Sequence, residues 1–306
     1  MLRPYNFLGA TGGVEIIRTI GWMKEYARAA RAEGLVLGLV PTMGALHDGH
    51  TALVARARKE CSRVVASVFV NPKQFGPKED YKKYPRDLEK DAEKLAAVGV
   101  DGLFAPEVGD IYPDGFRTYV SVEGISERLE GRSRLGHFRG VATVVLKLFE
   151  IVRPDFAYFG RKDAQQVRII SEMARDLNLD GEIVVCPIVR EADGLALSSR
   201  NAYLSVEERA AATVLHRALV AARDELAAGV RDTLQLQSVM RRVIEAERLA
   251  NLDYAEMVSA DTFEPVMRVS RACFAVMAVF IGKTRLIDNL YIEPATDGSD
   301  ELVFQL

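Results

Sequence analysis

The chain has 306 residues, enough for a full hydrophobic core and, at roughly 100–200 residues per domain, for a second, smaller domain. Hydrophobic residues make up 49% and charged residues 27%, a globular balance that excludes extensive disorder. With 40 basic against 43 acidic residues, the net charge of -3 supplies no basic field for nucleic acid or an anionic membrane, so the expected partners are small molecules.

Residues 35–40 read as a buried strand, after which Leu53, Val54, Ala57 and Cys61 recur on one helical face. Residues 64–70 form the next buried strand, 80–97 a charged surface helix and 103–105 a strand stopped by Pro106. Ala142, Val145, Leu146, Phe149 and Val152 share helical spacing. They are followed by a short strand over 156–159 and a helix carrying Val167, Ile170, Ala174 and Leu177. A strand over 183–189 closes this alternation, which predicts an α/β, doubly wound, Rossmann-like parallel sheet. Beyond it, helices over 206–228 and 233–248 and two or three strands between 253 and 293 predict a smaller α+β C-terminal domain. The expected division is 1–188 and 189–306, the second part closing over the site.

Cys61, Cys186 and Cys273 are odd in number and fit no zinc spacing, so they read as buried thiols in a reducing compartment. The first six residues, Met1 through Asn6, contain no apolar signal core. The longest apolar run, 272–281, is half the roughly 20 residues a bilayer span needs. A cytoplasmic chain with no membrane segment is expected.

Chemistry concentrates at three strand ends. Between the first strand and its helix lies Pro41-Thr42-Met43-Gly44-Ala45-Leu46-His47-Asp48-Gly49-His50, placed where open parallel sheets bind ligands. Its glycines admit phosphate close to the backbone, and His47 and His50, three apart, can donate to phosphate oxygens as charge develops. A zinc pair or two solvent histidines are the alternatives; zinc would need further ligands, and only His137 and His216 remain. Gly160-Arg161-Lys162-Asp163 repeats the strand-to-helix geometry and offers a cation to polyphosphate, with a purely structural turn as the alternative. Leu197-Ser198-Ser199-Arg200-Asn201 offers hydroxyls, a guanidinium and an amide in a loop able to close over a triphosphate, or an ordinary turn. Gly282-Lys283-Thr284 is no P-loop, since Met277 holds the position of its first glycine.

The paired histidine and closing-loop motifs resemble those of the nucleotidyltransferase superfamily. A closer resemblance, over nearly the whole chain, is to the pantothenate synthetase (pantoate–β-alanine ligase) family. It is carried by the histidine run together with Phe69-Val70-Asn71-Pro72-Lys73-Gln74-Phe75, Tyr84-Pro85-Arg86, Gly136-His137-Phe138-Arg139-Gly140-Val141, Gly160-Arg161-Lys162-Asp163-Ala164-Gln165-Gln166, Gly194-Leu195-Ala196-Leu197-Ser198-Ser199-Arg200-Asn201 and Arg285-Leu286-Ile287-Asp288-Asn289.

The resemblance implies condensation of pantoate with β-alanine, driven by ATP with Mg2+ through a pantoyl adenylate, in a homodimer. It puts ATP on Met43, Gly44, Ala45, Leu46, His47, Asp48, Gly49, His50, Gly160, Arg161, Lys162, Asp163, Val189, Leu197, Ser198, Ser199 and Arg200. His50 matches the proton donor, and His47, Lys162 and Arg200 would share the developing charge. Gln74 matches the contact to pantoate and β-alanine, Gln166 a contact to pantoate, and Arg134 and His137 further positions on the pantoate side. No metal ligand from the protein is expected, Asp91 being a candidate of little weight. Arg161, Ala164, Leu135 and Lys73 depart from the family pattern, which usually has glutamate, an aromatic residue, proline and a small polar residue there. The remaining readings are a nucleotide-joining transferase, a tRNA-charging relative and a non-enzymatic nucleotide sensor.

Overall fold

The structure, a computed structural model, describes residues 13–77, 79–295 and 301–306, so the reading of Met1 through Asn6 lies outside the described residues. The first part of the chain runs β1 (Glu15–Ile17), α1 (Ile20–Ala32), β2 (Leu37–Thr42), α2 (Asp48–Glu60), β3 (Arg63–Val68), α3 (Leu88–Ala97), β4 (Gly102–Phe104), α4 (Val108–Ile111), α5 (Glu130–Ser133), α6 (His137–Val152), β5 (Phe156–Gly160), α7 (Ala164–Asp176) and β6 (Glu182–Cys186). It continues with α8 (Val206–Ala211), α9 (Val214–Ala227), α10 (Thr233–Glu245), β7 (Ala250–Ser259), β8 (Cys273–Ile281), β9 (Thr284–Pro294) and β10 (Leu302–Gln305).

The first six strands form one parallel sheet in the order β1-β4-β3-β2-β5-β6. Side chains alternate between its faces, as a pleated strand demands. Leu37, Leu39, Val65, Phe104, Ala157 and Phe159 enter the core shared with α1 and α6, while Val40, Val64, Ala66, Leu103 and Tyr158 enter the one shared with α2 and α3. Both faces are covered, which is the doubly wound architecture expected. Cys61 is explained by packing: a Cβ on Gly38 would lie 2.8 Å from its sulfur, so the thiol occupies the space that the missing side chain leaves on the sheet.

The second sheet is antiparallel, in the order β10-β9-β8-β7. Along β8, Cys273, Ala275, Met277, Val279 and Ile281 face the core with α9 and α10, and Phe274, Val276 and Ala278 face the core of the parallel-sheet body. The apolar run over 272–281 is thus a strand buried on both faces. Among the described residues no helix is long and apolar enough to cross a membrane.

Several boundaries differ from the sequence reading. The helix expected over 80–97 starts only at Leu88, where Asp87 caps the Lys90 amide at 3.2 Å; Pro85 disfavours helix in the residues before it. The helix expected over 206–228 breaks between α8 and α9, and the strand expected over 183–189 ends at Cys186. β1, α1 and β10 have no counterpart in that reading.

Candidate active site

The chain runs from β2 to β3 on one side, whereas β5 lies on the other side of β2. A crevice opens at such a switch point, beyond the carboxyl ends of the strands. Here it is a cleft of about 240 Å3.

The loop after β2 is tied down from beneath. Thr42 donates its hydroxyl to the Ser67 carbonyl at 2.7 Å and accepts the Gly44 amide at 3.2 Å. The buried Asp91 of α3 takes the Ala45 and Leu46 amides at 3.0 and 2.9 Å, and Lys94 donates to the Leu46 carbonyl at 2.6 Å. Gly44 sits at φ +79°, and a Cβ there would stand 2.7 Å from an Asp91 oxygen. Asp91 is therefore the anchor of this loop, with both carboxylate oxygens engaged.

The two histidines begin α2. His47 Nδ1 accepts the Gly49 amide at 3.2 Å, and His50 Nδ1 accepts the His47 amide at 3.3 Å, with ring centroids 4.1 Å apart. A backbone N–H on Nδ1 puts the imidazole proton on Nε2, leaving that N–H as the free donor. Removal from water, followed by the nearby Lys162 charge, lowers the His47 pKa to about 4. For His50, burial, then His47 and Lys162, lower it to about 3. Both rings are neutral at pH 7. A Cβ on Gly49 would lie 2.9 Å from the His47 ring, so glycine here is a condition of that cap.

Histidines that resist protonation make stability depend on pH. In the unfolded chain they titrate near 6.5, so between pH 6.5 and about 4 the unfolded state binds more protons than the folded one. His137, also pushed down to about 4, acts the same way. Stability is expected to fall as pH drops through this window. Thermal melts of His47→Gln and His50→Gln variants should show a shallower fall than the parent chain.

On the neighbouring strand, Lys162 projects from the turn Arg161–Asp163 and, among the described residues, has no carboxylate at ion-pair distance. Asn289 of β9 holds this turn, donating to the Arg161 and Lys162 carbonyls at 3.0 Å each. The closing loop is latched in place: Ser199 donates to the Ala45 carbonyl at 3.0 Å, and Arg200 grips Asp80 through Nε and Nη2 at 3.1 and 3.0 Å. Val189 accepts the Leu197 amide at 3.0 Å, bringing both to the cleft wall beside Ser198.

The opposite wall carries amides. Gln74 donates Nε2 to the Met43 sulfur at 2.9 Å and accepts from Asn71 at 3.1 Å; Asn71 in turn accepts from Tyr112 at 2.9 Å. Gly140 lets α6 meet the turn Pro72–Gln74 directly, since a Cβ there would come within 2.2 Å of the Lys73 carbonyl. His137 Nδ1 donates to the Gln74 carbonyl at 2.8 Å, which leaves Nε2 to accept from Arg134 at 3.0 Å; Arg134 also grips Glu79 at 3.0 and 2.7 Å. Gln166 lines the same wall, whereas its neighbour Gln165 is spent on the carbonyls of Ile125 and Arg128.

Most of the residues singled out in the sequence thus meet in one cleft. Gly44, Ala45, Leu46 and Asp48 support it without lining it, and the Arg161 side chain turns away to Gln305 and Tyr291. Asn289 and Tyr84 carry no chemistry legible in the sequence, although both lie in motifs that carry the family resemblance. Asn289 proves to be a clamp on the Lys162 turn, and Tyr84 lines the cleft. No group of three or more His, Cys, Asp or Glu able to hold a metal occurs among the described residues.

The pantoate-beta-alanine ligase family profile matches residues 15–291. The pantothenate synthetase of Caldicellulosiruptor saccharolyticus is 52% identical over 278 residues, covering 91% of this chain and 99% of the relative. That of Pelotomaculum thermopropionicum is 53% identical over 274 residues, covering 90% and 97%. The crystal structure of pantothenate synthetase from Thermus thermophilus superposes with a TM-score of 0.85 at 46% identity, covering 90% of this chain and 98% of that one. The pantoate-beta-alanine ligase of Francisella tularensis, crystallised with beta-gamma ATP and beta-alanine, has a TM-score of 0.74 at 36% identity, covering 90% and 97%. This chain belongs to the pantoate–β-alanine ligase family.

Proposed function

We propose that this cleft joins pantoate to β-alanine through a pantoyl adenylate. The overall reaction consumes ATP and yields pantothenate, AMP and pyrophosphate. The observation that carries the reading is a pair of neutral imidazoles with Nε2–H free and Lys162 across from them, beside a wall of amides headed by Gln74.

In the first step a pantoate carboxylate oxygen attacks the α-phosphorus of ATP in line and the bond to pyrophosphate breaks. In the second, the β-alanine amine attacks the acyl carbon, loses a proton, and AMP leaves with the electron pair of the broken C–O bond. Neutral Nε2–H donors on His47 and His50, with Lys162 and Arg200, stabilise charge that grows in both transition states, and need not be protonated to do so. Their placement on a rigid helix start keeps reorganisation small. Arg200 reaches phosphate by exchanging its Asp80 partner for it. ATP is bound by Met43, His47, Gly49 and His50 of the run that Gly44, Ala45, Leu46 and Asp48 shape from behind, by Gly160, Lys162 and Asp163, and by Val189, Leu197, Ser198 and Ser199. Gln74 and Gln166 read the hydroxyls and carboxylate of pantoate, because an amide both donates and accepts without quenching the nucleophile. Arg134 and His137 back that wall, and Gln74 also meets β-alanine.

Among the described residues Asp163 is the carboxylate lining the cleft, a donor set suited to Mg2+ that arrives on the triphosphate and keeps several waters. When bound, the ion neutralises charge on the phosphate oxygens. The domain from residue 189 onward closes over the site, and the working enzyme is a cytoplasmic homodimer.

The test is exchange of labelled pyrophosphate into ATP by the purified chain with Mg2+. Exchange that requires pantoate and proceeds without β-alanine is expected. Pantothenate formation with no pantoate-dependent exchange under any condition would sink the adenylate route.

A further inference from the structure

β10 lies outside the family match, which ends at residue 291, yet it reaches the phosphate-binding turn. Its antiparallel register on β9 sets Gln305 opposite Tyr291 and Val303 opposite Glu293. From there Gln305 accepts from Arg161 Nη1 through Oε1 and donates from Nε2 to Glu293 at 3.3 Å. Tyr291 donates to the other Glu293 oxygen at 3.0 Å, and the Arg161 guanidinium lies 5.2 Å from the Tyr291 ring centroid. Two residues back along β9, Asn289 holds the carbonyls of Arg161 and Lys162. The residue before Lys162 is therefore gripped by backbone and by side chain, both times from the C-terminal sheet.

The Lys162 side chain makes no hydrogen bond among the described residues, its carbonyl alone being held by Asn289, and its four-carbon stem is flexible. Its aim is set by the backbone that carries it. Arg161, released, would be free to rotate that turn and bring a second guanidinium toward the phosphates. We infer that Gln305 and Asn289 are positioning residues for Lys162, so that β10 works as an outlying part of the ATP site by holding the Arg161–Asp163 turn. This rests on the assignment of that turn to ATP.

The experiment compares kcat and the KM values for ATP, pantoate and β-alanine in the full chain and in Gln305→Ala, Arg161→Ala, the double variant and Lys162→Ala. Gln305→Ala is expected to raise KM for ATP about five- to tenfold, the net worth of one ordinary hydrogen bond because the effect reaches ATP only through the turn, while KM for β-alanine and the thermal midpoint stay put. Arg161→Ala should do the same, and the double variant should be no worse than the worse single one, because both cut one link. If Lys162→Ala raises KM for ATP while Gln305→Ala does not, or if the two effects add in full, the positioning role is overturned. If Lys162→Ala leaves both kcat and KM for ATP unchanged, the ATP assignment of the turn falls, and the proposal with it.

Discussion

His50→Ala is expected to slow pantoate-dependent pyrophosphate exchange by about 10²–10³, the effect of removing one donor aimed at developing charge, or ~2.7–4 kcal/mol. The donor at stake is Nε2–H, because Nδ1 is committed to the His47 amide at 3.3 Å. The loss should fall mainly on kcat, since a hydrogen bond that strengthens in the transition state contributes little to ground-state binding. His50→Gln keeps an acceptor for the His47 amide and an N–H donor, and should recover part of the rate. Folding is a lesser concern: the amide freed at the start of α2 can turn to water, so the far-ultraviolet spectrum should match the parent chain. Full turnover by His50→Ala would remove His50 from the mechanism.

The second large effect concerns stability. Asp288 and Arg190 pair at 2.7 and 2.9 Å with side-chain exposures of 1% and 12%, and Asp288 also accepts the Asn289 amide at 2.8 Å. Deleting one partner of so buried a pair leaves an uncompensated charge, so Asp288→Ala should cost about 3–5 kcal/mol in urea unfolding. Replacing both partners with apolar residues of similar volume should recover much of the loss. The exposed pair Arg28 and Glu25, at 62% and 64%, serves as the contrast, worth about 0–1 kcal/mol. A shift for Asp288→Ala no larger than that of the surface pair would show the buried bridge to be dispensable. Because Asn289 is the next residue, activity should weaken along with stability.

The central strands were legible because a strand buried on both faces reads as an unbroken apolar run, as in Leu37, Leu39 and Val40. α1 carries a local signal too, with Met23, Tyr26, Ala27 and Ala30 at helical spacing. β1 spans three residues and pairs in parallel with β4, far along the chain, so no local pattern announces it. The irregular stretch before Leu88 looked helical by its charges; Pro85 and the Asp87 cap decided otherwise.

By itself the sequence determined the class of fold and the residues of the cleft's motifs. The fold class and the histidine, lysine and closing-loop motifs follow from chemistry within a few neighbouring residues: the periods of strand and helix, glycine where backbone must pass close, histidine where a donor is needed; Gln74, Gln166, Arg134 and His137 came from the family resemblance alone. Only the tertiary structure decided that β5 lies beside β2, which sets Lys162 across from the histidines. It also decided that Asp91 anchors a loop, that both imidazoles are neutral with Nε2 protonated, and that Arg161 points to β10 and away from the cleft. Strand order, burial and the direction of a side chain depend on partners distant in sequence, and their free energies appear only when those partners meet.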